Sequence, residues 1–334
     1  MNIHTKKSKK KTVLSGMRPT GALHLGHMAG ALRNWIELQD EYQCYFSIVS
    51  WHALSSEYQN SRIIKDYIFE LAVDWLSVGL DPEKSVIFLQ SEIKEHAELH
   101  LLLSMITPLP WLERVPTFKE LQQQLPDKDL NTYGFLGYPL LQTADIIIYK
   151  AHYVPVGEDQ VYHIELAREI VRRFNRFFGE VFPEPQVLLT EVPKLAGTDG
   201  RKMSKSYNNA IYLGDSPRII EQKIKPMMTD TQRKRRTDPG EPEDCPVFTL
   251  HKAFTPSKKK VELAQACRTA SIGCLECKQV IIDELTERFA PFRERKKEFL
   301  KKPQTVWEIL AEGNKKARKK AQQTMEEVRQ AIGF

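Results

Sequence analysis

The chain has 334 residues, 41% of them hydrophobic, and a formal net charge of +6; that length suggests two domains, each able to bury a core. No apolar run approaches the ~20 residues that a bilayer span needs, and the start MNIHTKKSKKK has no apolar stretch behind its lysines, so a cytoplasmic protein without a secretory signal is expected. The charge is local: Lys6, Lys7, Lys9, Lys10 and Lys11 stand in residues 1–11 with no acid among them, which reads as a flexible basic tail and removes global basicity as an argument for nucleic acid.

Thr12-Val13-Leu14 is a short buried strand that meets a Gly/Pro/Thr turn and then His24-Leu25-Gly26-His27, after which apolar residues recur at helical spacing from Met28 to Leu38. Cys44 to Val49 is a second buried strand, ending at Ser50-Trp51-His52. Arg62 to Val78 is a long amphipathic helix stopped by Gly79, Val86 to Leu89 a third strand, and Glu95 to Ile106 another helix. Residues 107–137 break the alternation with prolines, glutamines and charges, as an insertion or a dimerisation segment would. Tyr138 to Tyr149 returns to helix, Tyr153-Val154-Pro155-Val156 to strand, and Gly157-Glu158-Asp159-Gln160 opens a helix reaching Phe178 before a last strand at Val187 to Leu189. Alternation of this kind implies a parallel sheet with ligands at the carboxyl ends of its strands. From about residue 216 only helical patterns remain, at 216–228, 257–270, 276–289, 291–301 and 305–332.

Two stretches carry the chemistry. In HLGH, two imidazoles one helical turn apart can face one point, and the glycine between them lets a flat ligand approach the backbone. In Gly197 to Ser206 (GTDGRKMSKS), Lys202 and Lys205 bracket Ser204 in a glycine-rich loop of low helix and strand propensity, a cationic clamp suited to polyphosphate. Four residues of the HxGH kind are cheap to find by chance; the pair of motifs, in this order and separation, is not.

Together HLGH and KMSKS resemble the two signatures of class I aminoacyl-tRNA synthetases. The resemblance implies an α/β fold in which a Rossmann-type parallel sheet forms the catalytic domain (12–214, with the insertion at about 107–137) and an α-helical anticodon-binding domain follows (215–334). It implies ATP with Mg²⁺ as substrate, His24, His27, Lys202 and Lys205 as catalytic residues, and Arg18, Thr20, Gly26, Lys119, Gly157, Asp159, Met203 and Ser204 as further contacts to ATP, Gly26 by making room for adenine. The segments YPLLQTAD (138–145) and VPVGEDQ (154–160) are similar to the tryptophanyl family, whose GEDQ differs from the GGxDQ form of the tyrosyl family. An indole offers one N–H donor and no polar acceptor, so a buried carboxylate is a good reader of it. The resemblance assigns that role to Asp145, and contacts to the rest of tryptophan to His52, Tyr138, Gln142 and Gln160.

Arg18 and Ser50 depart from the family pattern, which has Gln at the first position in some members and often an acid at the second; the latter puts an Asp–His pairing at His52 in doubt. Cys44 reads as a small core residue. The other cysteines, Cys245, Cys267, Cys274 and Cys277, follow C-x21-C-x6-C-x2-C, a set of thiols that suits tetrahedral Zn²⁺ or an iron–sulfur cluster. Some bacterial tryptophanyl enzymes resemble it and carry a [4Fe–4S] cluster, with a first interval usually one residue longer, and the cluster is favoured over zinc. The basic run Arg233, Lys234, Arg235 and Arg236 beside this loop is assigned to tRNA phosphates, whereas Lys315 to Lys320 reads as a solvated face. The expectation is a homodimeric tryptophan–tRNA ligase acting on L-tryptophan and tRNA(Trp), with no membrane association. Its rivals are a tyrosyl synthetase, a catalytically silent RNA-binding relative and a smaller HxGH nucleotidyltransferase.

Overall fold

The computed structural model describes residues 10–115, 130–190 and 193–334. Five strands, β1 (Thr12–Met17), β2 (Gln43–Ile48), β3 (Ser85–Leu89), β4 (Tyr153–Val156) and β5 (Gln186–Leu189), form one sheet in the order β3-β2-β1-β4-β5. Every pairing is parallel, with Val13 opposite Cys44 and Tyr153, Cys44 opposite Ser85, and Tyr153 opposite Gln186. The chain therefore winds outward from β1 to β3 and then crosses to the other side of β1, so the crevice for a ligand lies beyond the carboxyl ends of β1 and β4.

Strand alternation sorts the core onto the two faces of the sheet. Val13, Phe46, Ile48 and Ile87 point into one apolar cluster with Trp35 and Trp75. Leu14, Tyr45 and Phe88 point into the other with Tyr149, Ile164 and Phe174. Cys44 is fully buried among the first set, as its strand context implied.

Two local readings are corrected. β2 ends at Ile48 and the chain turns directly into a helix, Ser50–Glu57, so His52 sits in that helix's first turn and not on a strand end. An unexpected helix, Pro246–Phe254, follows Cys245; its proline at the first position and its buried Val247, Phe248, Leu250 and Phe254 are ordinary helical signals that the cysteine spacing overshadowed. The insertion contributes helices at Leu109–Glu113 and Tyr133–Leu136; residues 116–129, Lys119 among them, lie outside the described residues, as do residues 1–9 of the tail. No described helix is long and apolar enough to cross a membrane.

From Pro217 onward every described element is helical, yet the part is not packed as a separate body. Its last helix, Pro303–Ile332, runs back along β3, an edge strand that would otherwise present unpaired backbone. Asn314 Oδ1 accepts from the Leu89 N–H at 2.8 Å, and Ala317, Ala321, Met325 and Val328 enter the sheet's second apolar cluster. The approach is possible only at glycine: a Cβ on Gly313 would lie 1.8 Å from the Ile87 carbonyl oxygen. Gly313→Ala should therefore push the helix off the edge strand and lower stability by about 3 kcal/mol, read as a drop in the urea midpoint at unchanged m; an unchanged midpoint would show that the helix is not seated there.

Candidate functional site

The loop after β1 is held from three sides. Leu23 and the HLGH stretch pair with the segment just after KMSKS: Leu25 N–H donates to Ile211 O and Leu213 N–H to Leu23 O, both at 2.9 Å. Beneath, the buried Asp74 accepts from the Leu23 N–H at 3.1 Å and from Lys296 Nζ at 2.6 Å. Above, Lys205 Nζ donates to the carbonyls of Gly21 (2.7 Å) and Thr20 (3.1 Å) and to Thr20 Oγ1 (3.3 Å). The two signature stretches thus meet at one place, as their resemblance requires.

Within HLGH both imidazoles cap backbone N–H groups of the turn. His24 Nδ1 accepts from the Gly26 N–H and His27 Nδ1 from the His24 N–H, both at 3.1 Å, with ring centroids 3.9 Å apart. Because each Nδ1 accepts, each ring carries its proton on Nε2 and has a donor left uncommitted among the described residues. Burial, then the Lys205 charge, lowers His24 to about 4. His27 is held well below the usual histidine range by burial, His24 and Lys205. At neutral pH the pair is two N–H dipoles without net charge. Gly26 is required by its neighbour: a Cβ there would lie 2.9 Å from His24 Cε1.

The KMSKS loop is wound around Asn209, a buried residue that motif reading missed. Its Nδ2 donates to Asp199 Oδ1 (2.7 Å) and Lys202 O (3.1 Å), while its Oδ1 accepts from the Ser204 N–H (2.8 Å). A Cβ on Gly197 would fall 2.3 Å from Asn209 Cγ, which accounts for the loop's first glycine. Met203 is buried and bonded through its N–H to Leu195 O; Ser204 Oγ meets Ser206 Oγ at 2.8 Å. Lys202 stays exposed, whereas burial lowers Lys205 to about 8.

A second group of polar side chains comes from the helix Tyr138–Ile147. Tyr138, Gln142 and Asp145 are spaced by four and three residues and share one face. Tyr138 presents its ring edge to His52 at 6.3 Å, and its hydroxyl lies 3.3 Å from His163 Nε2. Asp145 is only 3% exposed and is met by His52 Nε2 (3.0 Å), by Gln90 Nε2 on both oxygens (2.8 and 2.7 Å) and by His96 Nδ1 (2.6 Å). An Asp–His pair at His52 does form, the doubt raised by Ser50 notwithstanding, because its partner is Asp145 itself. Burial alone would raise the Asp145 carboxyl; the charge of His96 and the hydrogen bonds from His52 and His96 outweigh it and hold the group well below the usual carboxylate range. Arg18 donates to Ser56 Oγ and lies within electrostatic reach of Glu57 and Tyr138. Gly157 leads into the turn Glu158–Gln160, where Asp159 is exposed and accepts from Gln160 Nε2 at 3.3 Å.

The four clustered cysteines are delivered by helix ends. Cys245 caps the helix Pro246–Phe254, Cys267 ends Ser257–Arg268, and Cys274 and Cys277 share the first turn of Cys274–Arg288. Burial pushes the Cys277 thiol up to about 12, with Cys245, Cys267 and Cys274 close enough to add to the shift. The four thiols are free of disulfides, but no three His, Cys, Asp or Glu side chains among the described residues stand in metal-ligating geometry. The basic run beside them needs a correction. Arg233 is turned inward, 9% exposed, donating to Arg236 O and Ile272 O at 2.7 Å with its other guanidinium nitrogen 3.9 Å from Cys267 Sγ. Only Lys234, Arg235 and Arg236 of that run face solvent.

Residues 6–290 match the family model described as class I tRNA synthetases (W and Y). A tryptophan–tRNA ligase of Thermotoga maritima is 54% identical over 96% of this chain and 99% of its own length, and that of Aquifex aeolicus 45% identical over 96% and 99%. The structure is similar to that of a Campylobacter jejuni tryptophanyl-tRNA synthetase complexed with ADP and tryptophan, with a TM-score of 0.86 at 35% identity over 97% of this chain and 100% of that one.

The half-buried Lys205 gives a pH signature. Its ammonium is disfavoured by burial, so it sheds its proton near pH 8 while exposed lysines remain protonated to near 10.5. Competitive labelling with an amine-selective reagent should show Lys205 modified with a midpoint near pH 8; a midpoint at the ordinary lysine value would mean that the side chain is solvated and not folded onto Gly21.

Proposed function

We infer the reaction from the family to which this chain belongs, the class I tRNA synthetases of the tryptophan and tyrosine type. It is a tryptophan–tRNA ligase: L-tryptophan and ATP give tryptophanyl-adenylate and pyrophosphate, and the tryptophanyl group then passes to the 3′ end of tRNA(Trp) in the cytoplasm. The observation that carries the choice of amino acid is the buried, anionic Asp145 on the same helix face as Tyr138 and Gln142. An acceptor-only group suits the single N–H of an indole. Each Asp145 oxygen accepts from two donors, so an indole N–H is taken in exchange for one of them, that of His52. Tyr138, Gln142, Gln160 and His52 take the remainder of the amino acid.

Activation is a displacement at phosphorus. A carboxylate oxygen of tryptophan attacks the α-phosphorus as the bond to pyrophosphate breaks, so positioning and charge supply most of the rate. His24 and His27 offer neutral N–H donors to the phosphates. Lys202 and Lys205 take the pyrophosphate as its charge builds, which requires Lys205 to exchange the carbonyls of Thr20 and Gly21 for phosphate oxygens. That exchange costs little, because a desolvated ammonium gains from a dianionic partner. Mg²⁺ arrives with ATP. Arg18, Thr20, Gly157, Asp159, Met203 and Ser204 border the nucleotide, and Lys234, Arg235 and Arg236 are the phosphate contacts to tRNA that remain once Arg233 is set aside.

Pyrophosphate exchange with each amino acid in turn should respond to tryptophan and not to tyrosine. Asp145→Ala should raise the KM for tryptophan about 10- to 100-fold, the worth of one hydrogen bond to a charged group, and leave the KM for ATP within a factor of about two. Exchange driven by tyrosine, or an unaltered KM for tryptophan in the variant, would overturn the assignment.

We further propose that Cys245, Cys267, Cys274 and Cys277 hold one metal centre, a [4Fe–4S] cluster in preference to Zn²⁺. The support is a donor set made only of thiols, gathered from three helix ends into one electrostatically coupled group. Such a centre would staple those helices without entering the adenylate chemistry. The protein is also proposed to be a homodimer through the surface around the insertion, where Leu101, Met105, Leu109 and Tyr133 are each more than half exposed. Anaerobically purified protein should be brown, with a broad visible absorption band, and should sediment at twice 38.7 kDa. A colourless, zinc-containing sample would replace the cluster by zinc, and one without metal would end the metal proposal; a monomer would end that of the dimer.

A further inference from the structure

Asp145 has its charge and its orientation supplied from opposite sides. On the cavity side stands His52, beside Tyr138. Behind it stands His96, with no exposed surface, whose Nδ1 is 2.6 Å from Asp145 Oδ1 and whose Nε2 is 2.7 Å from the Tyr149 hydroxyl. Nδ1 faces a carboxylate and must carry hydrogen, which leaves Nε2 to the Tyr149 hydroxyl. Tyr149 cannot turn away, being fully buried, stacked on Tyr45 at 4.8 Å and edge-on to Phe88 at 5.2 Å. Gln90 is locked in the same manner, since its Oε1 accepts from the Trp51 N–H at 3.0 Å and its Nε2 must therefore face Asp145. A half-turn of either side chain would break bonds on both of its ends.

We propose that His96, backed by Tyr149, is a positioning residue for tryptophan selection: it pins Oδ1 of Asp145 so that Oδ2 is the oxygen presented to the cavity. The proposal rests on the reading of Asp145 as the indole acceptor. His52 is the donor able to yield to a ligand, and His96 the one that is not. Removing His96 also removes an interaction that offsets the desolvation of the carboxylate, so the group would take up a proton at higher pH than before and stop accepting from an N–H. The titratable groups that face Asp145 are His52 from the helix Ser50–Glu57, His96 and His100 from the helix Glu95–Ser104, and Tyr149 beyond its own helix; Gln90 is neutral. In the intact cluster the carboxyl stays ionised throughout the working range, so tryptophan affinity should be flat in pH as far as this group decides it.

The test uses the full-length protein, with tryptophan binding followed by calorimetry from pH 5.5 to 8 and KM values from pyrophosphate exchange. His96→Leu should weaken tryptophan at least about tenfold at neutral pH and progressively more towards pH 5.5, as Asp145 protonates, with the KM for ATP within about a factor of two. His96→Asn puts an amide N–H where Nδ1 stood and should restore binding to within about threefold with a flat profile. Tyr149→Phe should fall between them and covers the case in which the leucine variant does not fold. Equal affinities and flat profiles in His96→Leu or Tyr149→Phe overturn the proposal, as does an asparagine variant that loses ATP and tryptophan alike. Should the parent protein bind tyrosine in place of tryptophan, the functional reading fails first, a result distinguishable from failure of His96 alone.

Discussion

The contact on which the site depends is the Lys205 ammonium lying on the carbonyls of Thr20 and Gly21. It joins two loops that are 184 residues apart in the chain, and it does so with a charge that burial makes costly. The cost is bearable because Glu70 and Asp74 lie close enough to favour the cation, and Asp74 is itself offset by Lys296 and the Leu23 N–H. Four charges, Lys205, Glu70, Asp74 and Lys296, therefore hold one another in place around a loop whose own donors are neutral. Breaking such a set by removing one member leaves a buried charge unpaired, whereas its net worth to stability is small; its value is positional.

Burial disfavours the charged form of both sets of groups, but the outcomes differ. Burial lowers His24 and His27 and leaves them neutral N–H donors. Burial alone would also neutralise Asp145, but donors from three elements overcome it. A neutral carboxyl could itself donate and would read a different ligand. The difference between the two sets is the number of hydrogen-bond donors converging on each group, not their depth.

Much of this was legible in the chain. Alternating strand and helix patterns located all five strands within a few residues, and the meeting of HLGH with KMSKS followed from motif chemistry. What escaped were residues whose role exists only once distant segments meet. His96 and Gln90 sit in an unremarkable stretch until Asp145, about fifty residues later, packs against them. Asn209 looks like a loop polar group until Asp199, Lys202 and Ser204 fold round it. Arg233 was read with its exposed neighbours because a charge run in sequence does not say which member finds carbonyls to bond; the carbonyls of Arg236 and Ile272 took it inside. Ser50 was read as a lost partner for His52 because an acid two residues away is easy to seek, and one 93 residues away is not.

The return of the last helix to β3 has a physical reason of the same long-range kind. A parallel sheet with an uncovered edge strand offers backbone donors and acceptors to any passing strand, and here the nearest cover in sequence is already spent on the faces. The final helix closes the edge with one side-chain acceptor, Asn314, and one missing side chain, at Gly313. Together with Lys296 beneath Leu23 and Arg295, whose Nε donates to Ser77 O at 2.7 Å, it ties the helical part of the chain into the sheet's own core at separate points. A displacement of those helices would have to strain Asp74, and through it the backbone of Leu23, the residue immediately before His24. The helical region and the imidazole pair are in that sense one packed object, so the spacing between them is set by side chains that cannot slide.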